Sequence, residues 1–169
     1  MTSADLLADA FGRIRDVVHE VVEGLSPEQL AFRLDAAANS IAWLVWHLTR
    51  IQDDHVADAA QAAQVWTSQG WAERFGLPLD RLATGYGHRS AEVAAVRVKS
   101  GELLTGYYDA VHEQTARYVE RLTDADLSRI VDESWDPPVS LGVRLVSVIA
   151  DDLQHAGQAA FLRGILERG

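Results

Sequence analysis

Apolar residues recur at every third or fourth position through four long segments of this chain, and no stretch alternates apolar and polar residues as a half-buried strand does. The first segment runs from Ser3 to Glu23 and stops at Gly24. The second begins at Asn39-Ser40, both good capping residues, and continues to Ala63. The third lies between Ser100 and Leu122, preceded by a shorter helical stretch from Ser90 to Val98. The fourth follows Pro137-Pro138, takes Ser140 as its N-cap and runs to Glu167. An all-α fold of four long helices is the expectation.

Two of the connections resemble each other. Leu25-Ser-Pro-Glu-Gln-Leu30 and Leu122-Thr-Asp-Ala-Asp-Leu127 each carry a hydroxyl cap, an early acid and flanking leucines, so both read as short helical turns. The connection from Val65 to His88 is different. It holds Trp66, Trp71, Phe75 and Tyr86, too many aromatics for a solvated tether, and reads as a packed, shaping loop.

At 169 residues, a single domain spanning 1–169 is expected, with enough chain to bury a core. A net charge of −10 without a basic stripe argues against nucleic acid and anionic membranes as partners. No apolar run approaches the roughly 20 residues a membrane span needs, and the first residues lack the pattern of a signal peptide. A cytoplasmic location is the default, and a homodimer is compatible with the sequence. With no cysteine, any metal must be held by His, Asp or Glu.

Such residues interrupt the apolar stripes of the second and fourth segments. The fourth stripe passes through Leu141, Leu145, Val148, Ile149, Ala156, Ala159 and Leu166. Asp152 falls near its middle, His155 to one side, and Asp151, Arg144 and Gln158 on the same flank. Asp151 and His155 are four residues apart, hence one turn apart on one helix face. The second stripe runs through Ile41, Leu44, Leu48, Ile51, Ala59 and Ala62, with His55 central and His47 on the flank beside Trp43 and Asp54. Two imidazoles and a carboxylate form a metal clamp with coordination positions to spare. Periodicity alone chooses neither between Asp151 and Asp152 nor between His47 and His55. Without a cation, Asp151 would instead be a helix-capping acid or the partner of Arg144.

Other chemistries find little support. There is no Gly-x-Ser-x-Gly elbow and no glycine-rich phosphate loop, and Gly85-Tyr-Gly87 is too short to count as one. His19 and His112 read as solvated, Asp53-Asp54 as exposed helix face, and His88 as a loop residue able to line a pocket.

Asn39-Ser-Ile-Ala-Trp-Leu-Val-Trp-His47-Leu, followed by Asp151-x-x-x-His155-x-Gly-Gln158, resembles the DinB-like metalloprotein superfamily, and within it the mycothiol-dependent, maleylpyruvate isomerase-like branch. The resemblance covers nearly the whole chain. It implies a four-helix bundle with short connecting helices, and a divalent metal held by His47, Asp151 and His155. Zinc is the metal most expected, with nickel or iron as alternatives. Where many members have His-x-x-x-His and the mycothiol branch has Glu-x-x-x-His, this chain has Asp151, an arm one methylene shorter. The implied activity is that of a metal-dependent thiol S-transferase or isomerase, using a low-molecular-weight thiol such as mycothiol against a small electrophile. Arg144, about 10 Å from Asp151 along the helix, is placed to bind substrate. Gln158 is placed to support His155. The competing expectation is a non-catalytic metal-binding bundle, a stress-response or binding module.

Overall fold

The computed structural model describes residues 1–168. Its frame is four long helices, α1 (Ser3–Val22), α3 (Ile41–Ala60), α7 (Gly101–Val119) and α8 (Leu141–Leu166). Short helices occupy the connections: α2 (Pro27–Leu30), α4 (Val65–Ser68), α5 (Trp71–Phe75) and α6 (Ser90–Ala95). Three of the long helices begin where a side chain satisfies the first free amides. Thr2 and Asp5 form a capping box on α1, while Ser40 and Ser140 accept from the backbone of Trp43 and Val143. Each such cap is worth about 1 kcal/mol.

Several ends differ from the sequence-based boundaries. α3 stops at Ala60 because Gln61 turns into the left-handed region at φ 53°, α7 stops at Val119, and α6 ends at Ala95 rather than Val98. Between α7 and α8 the expected helical turn is a 3-10 turn over Asp126–Ser128. A small antiparallel hairpin of β1 (Ile130–Asp132) and β2 (Val139–Ser140) follows it. Strands of three and two residues are too short to show alternation.

α1 packs against α7 and α8, and α3 packs against the same two helices, so α1 and α3 occupy opposite corners of the bundle. The hydrogen bonds give the directions. Gln52 meets Thr115, and Tyr118 reaches the Ala59 carbonyl, so α3 and α7 run parallel. His55 meets Arg144, whereas His47, earlier on α3, meets His155, later on α8, so these two run antiparallel. Because α3 and α7 point the same way, the chain must return along the whole bundle between them. The long connection over residues 61–100 makes that return.

The return segment also covers α3, and every residue from Ile41 to Arg50 is buried. The single-stripe reading of this helix is therefore corrected. His55 and Ile51 are only half-buried and Ala62 is exposed, while Trp43, Trp46, Thr49 and Arg50, off the expected stripe, are in the core. Trp66 packs among Trp46, Phe75 and Tyr107, with ring centroids 5.1–6.3 Å apart. Tyr86, expected to pack with these aromatics, is 89% exposed. Asp53, expected on an exposed face, is fully buried and caps α4 by accepting from the amides of Val65 and Trp66. His112, expected to be solvated, is half-buried and stacked on Tyr108, and His19 pairs with Asp109 at 2.8 Å. Among the described residues no helix is long and apolar enough to cross a membrane.

Candidate metal centre

The α3–α8 interface brings His47, Asp151 and His155 together, with one ligand atom from each within 4.8 Å of the others. Among the described residues this is the group of three acids and histidines whose ligand atoms lie close enough to share one cation. His47 is buried in the second turn of α3 and stacks on Trp43 at 4.5 Å between centroids. His155 meets it edge-on at 4.7 Å.

Both rings have their tautomer fixed by backbone. Nδ1 of His47 lies 2.5 Å from the Thr84 carbonyl, and Nδ1 of His155 lies 2.8 Å from the Asp151 carbonyl. A carbonyl only accepts, so each Nδ1 carries the proton and donates. Each Nε2 is left with a free lone pair, the form in which imidazole binds a metal. Asp151 lies partly open to solvent, yet its Oδ2 is buried without a hydrogen-bond partner, 3.4 Å from Nδ1 of His155.

The electrostatics divide the three residues. Burial pushes the His47 pKa below the ordinary histidine value, and the neighbouring His155 charge lowers it further. Burial also pushes His155 down, but the Asp151 carboxylate and carbonyl outweigh it, and His155 lies above that value. Burial raises the Asp151 carboxyl, yet the imidazoles of His155, His47 and His55 hold it below the usual carboxylate range. The carboxylate is thus kept ionised beside two imidazoles.

The adjacent acid does something else. Asp152 is fully buried, and neither carboxyl oxygen has a partner among the described residues. Burial, then the Asp151 charge, pushes its pKa well above the ordinary value. Asp152 is the acid on the core stripe and Asp151 the one at the cluster. His55 does not join the cluster: its Nδ1 accepts from Arg144 at 2.9 Å. Arg144 is spoken for by Asp132 at 2.6 Å, and does not pair with Asp151. Gln158 is exposed, and among the described residues it makes no hydrogen bond to His155, whose Nδ1 is already occupied.

Two surface grooves are lined by residues of α3 and α8, and neither lining includes His47, Asp151 or His155. One of about 470 Å³ is mostly apolar, lined by Leu44, Gln154, Gly157, Gln158, Phe161 and Leu162 among others. The other, of about 410 Å³, is polar and lined by Asp54, His55, Asp58, Gln64, Asp132 and Arg144 among others.

The model of one family, described as mycothiol S-transferase, matches residues 6–168. The chain belongs to the mycothiol S-transferase family. This family is part of the DinB-like superfamily, and the four-helix frame agrees with it. The fold is also that of a solved structure described as a conserved protein from Enterococcus faecalis. The two share 30% identity and a TM-score of 0.90, with 96% of each chain covered. No curated protein matches.

Sequence reasoning missed the contributions of Thr84 and Gly85. Thr84 acts through its carbonyl, which no side-chain pattern reports. Gly85, set aside as part of too short a phosphate-loop signal, has φ +96°, and a Cβ there would lie 2.5 Å from Nδ1 of His47. The glycines of Thr84-Gly-Tyr-Gly87 were the available signal, pointing to close backbone approach.

Proposed function

We propose that this member of the family is a metal-dependent thiol S-transferase, with His47, Asp151 and His155 holding a divalent cation, zinc in the first instance. The observation that carries the reading is the pair of histidines whose Nδ1–H groups are both committed to carbonyls beside a carboxylate oxygen with no hydrogen-bond partner. Two neutral nitrogens and one carboxylate suit zinc, nickel or iron, and three protein ligands leave room for a further one. When bound, the cation supplies the positive charge that lets a thiol lose its proton near neutral pH.

The chain's own residues do the rest. His47 and Trp43 form a buried, stacked wall that keeps water from one side of the cluster. The polar groove fits a hydroxyl-rich thiol such as mycothiol, since the Asp54 and Asp58 carboxylates offer acceptors for hydroxyl groups. Arg144, with its charge already shared with Asp132, would meet hydroxyls there rather than a free anion. The apolar groove bordered by Leu44, Phe161 and Leu162 fits the electrophile. The thiol gives its proton to water, and the sulfur bonds to the electrophile's carbon. That carbon's bond to a leaving group breaks, the group departing with the electron pair and taking up a proton.

The test is cobalt substitution followed by titration with mycothiol, with other cellular thiols as controls. A saturable sulfur-to-metal charge-transfer band, with thiol-dependent turnover of a model electrophile, is expected. Metal binding without response to any thiol would instead favour the non-catalytic bundle. A chain that takes up no metal in excess would overturn the reading.

A further inference from the structure

Four consecutive carbonyls in the return segment each accept from a side chain of α3 or α4. Trp66 Nε1 donates to Arg81 at 2.7 Å. Arg50 donates to the next two, Leu82 at 3.4 Å and Ala83 at 3.0 Å. His47 donates to the fourth, Thr84, at 2.5 Å. This stretch has little backbone pairing of its own, the nearest bonds being from Ala83 to Asp80 and from His88 to Gly85. Its path is therefore set by those side chains.

Arg50 is fully buried, an expensive place for a guanidinium unless every donor is met. Its remaining partners are Gln64 Oε1 at 2.9 Å, the Tyr107 hydroxyl at 3.4 Å, the Asp53 carboxylate at 3.6 Å and the Trp66 ring at 5.2 Å. Asp53 in turn accepts from the Val65 and Trp66 amides at 2.8 and 2.7 Å and from the Tyr107 hydroxyl at 2.8 Å. Neither residue touches the metal cluster, yet Arg50 sits one turn beyond His47 on α3, and the segment it grips presents Thr84 to that histidine.

We infer that Arg50 and Asp53 are positioning residues for the site, holding residues 81–84 so that the Thr84 carbonyl selects the tautomer of His47. The physical point is selectivity. Water beside Nδ1 could donate or accept and would choose neither tautomer, whereas a fixed carbonyl only accepts and forces the proton onto Nδ1. Gly85 completes the device by letting the backbone lie against the ring, where any side chain would collide. His155 provides a contrast within the same site: its carbonyl partner, Asp151, is one turn away on its own helix and owes nothing to the return segment. The consequence for metal affinity rests on the function proposed above; the tautomer selection does not.

The experiment is long-range nitrogen-15 NMR of the histidine rings in metal-free protein at mildly alkaline pH, for wild type, Arg50→Met and Gly85→Ala. Wild type should show both His47 and His155 protonated at Nδ1. The two variants should shift His47 to a tautomer mixture while His155 stays unchanged. Zinc affinity should fall roughly 10–100-fold, as for loss of an outer partner of a metal ligand. Should Arg50→Met fail to fold, Gly85→Ala still disturbs the turn without touching the ion pair. A His47 that keeps its wild-type tautomer in every folded variant overturns the inference. A wild type that shows the selected tautomer but binds no metal overturns the proposed function and leaves the positioning role standing.

Discussion

The α3–α8 interface has two polar stations built from similar residues, and they are completed differently. The first holds His47, Asp151 and His155; the second, about two helical turns away, holds His55, Arg144 and Asp132. At the second station the chain supplies its own cation. Arg144 donates to Nδ1 of His55 and to the Asp132 carboxylate, and the charge closes within the protein. At the first, both imidazoles spend their protons on carbonyls, leaving two nitrogen lone pairs and a carboxylate grouped together with no arginine or lysine bonded to them among the described residues. The same interface thus contains a self-contained structural pair and a donor set suited to a cation from outside.

The largest expected effect separates the two adjacent acids at the first station. Asp151→Asn should weaken zinc binding by more than the roughly 100-fold that the loss of an outer partner costs at most, whereas Asp152→Asn should stay within that range. Isothermal titration of both variants decides it. A greater loss for Asp152→Asn would mean that the core acid, not the clustered one, binds the metal, and the contrast between stations would fail.

How much of this was legible beforehand depended on the kind of contact. The four long helices were readable because apolar spacing and the caps Ser40 and Ser140 act locally. The grouping of His47, Asp151 and His155 followed from family resemblance and i, i+4 spacing, whereas periodicity alone left His55 and Asp152 in contention. Arg144 was visible as a flank residue, but its partner Asp132 lies in a short hairpin that leaves no pattern. Arg50 was passed over and Asp53 was read as exposed helix face because a charged residue on a helix normally faces water, and only the return segment, folded over α3, makes them internal. That segment must return because α3 and α7 run parallel, a topological fact that no window of sequence contains. The carbonyls of Arg81, Leu82, Ala83 and Thr84 accept from side chains of α3 and α4, and contacts to a carbonyl are invisible in residue identity.

A smaller effect should come from removing the internal cation. Arg144→Met strips the guanidinium from Asp132 and His55 and should lower Tm by a few degrees, as expected for loss of a modest interaction in a chain of this size. Zinc stoichiometry should be unchanged, since Arg144 bonds none of the three clustered residues. Thermal unfolding of the metal-free protein, with metal analysis of the same preparations, tests both halves. Loss of metal in parallel with the fall in Tm would show that the stations are one network rather than two.

The subtlest effect is the opposite sign of the two stations toward acid in the metal-free protein. His55 is held below the ordinary value of 6.5 by burial and then by the Arg144 charge. Its neutral form is favoured in the fold, so its contribution is fully present above 6.5 and is lost as pH falls from there through the lowered folded value. His155 is the reverse. Burial alone would lower it, but the Asp151 carboxylate and carbonyl raise it above 6.5. Its contribution is full below 6.5 and is lost as pH rises through the folded value. Urea unfolding on either side of 6.5 should therefore show His55→Gln losing less stability on acidification than wild type, and His155→Gln losing more. The difference between the variants should amount to about 1 kcal/mol or less, since each group is only about half buried and solvent screens the rest. Curves for the two variants that run parallel across that range would show that Arg144 and Asp151 do not impose opposite electrostatic environments on the two histidines.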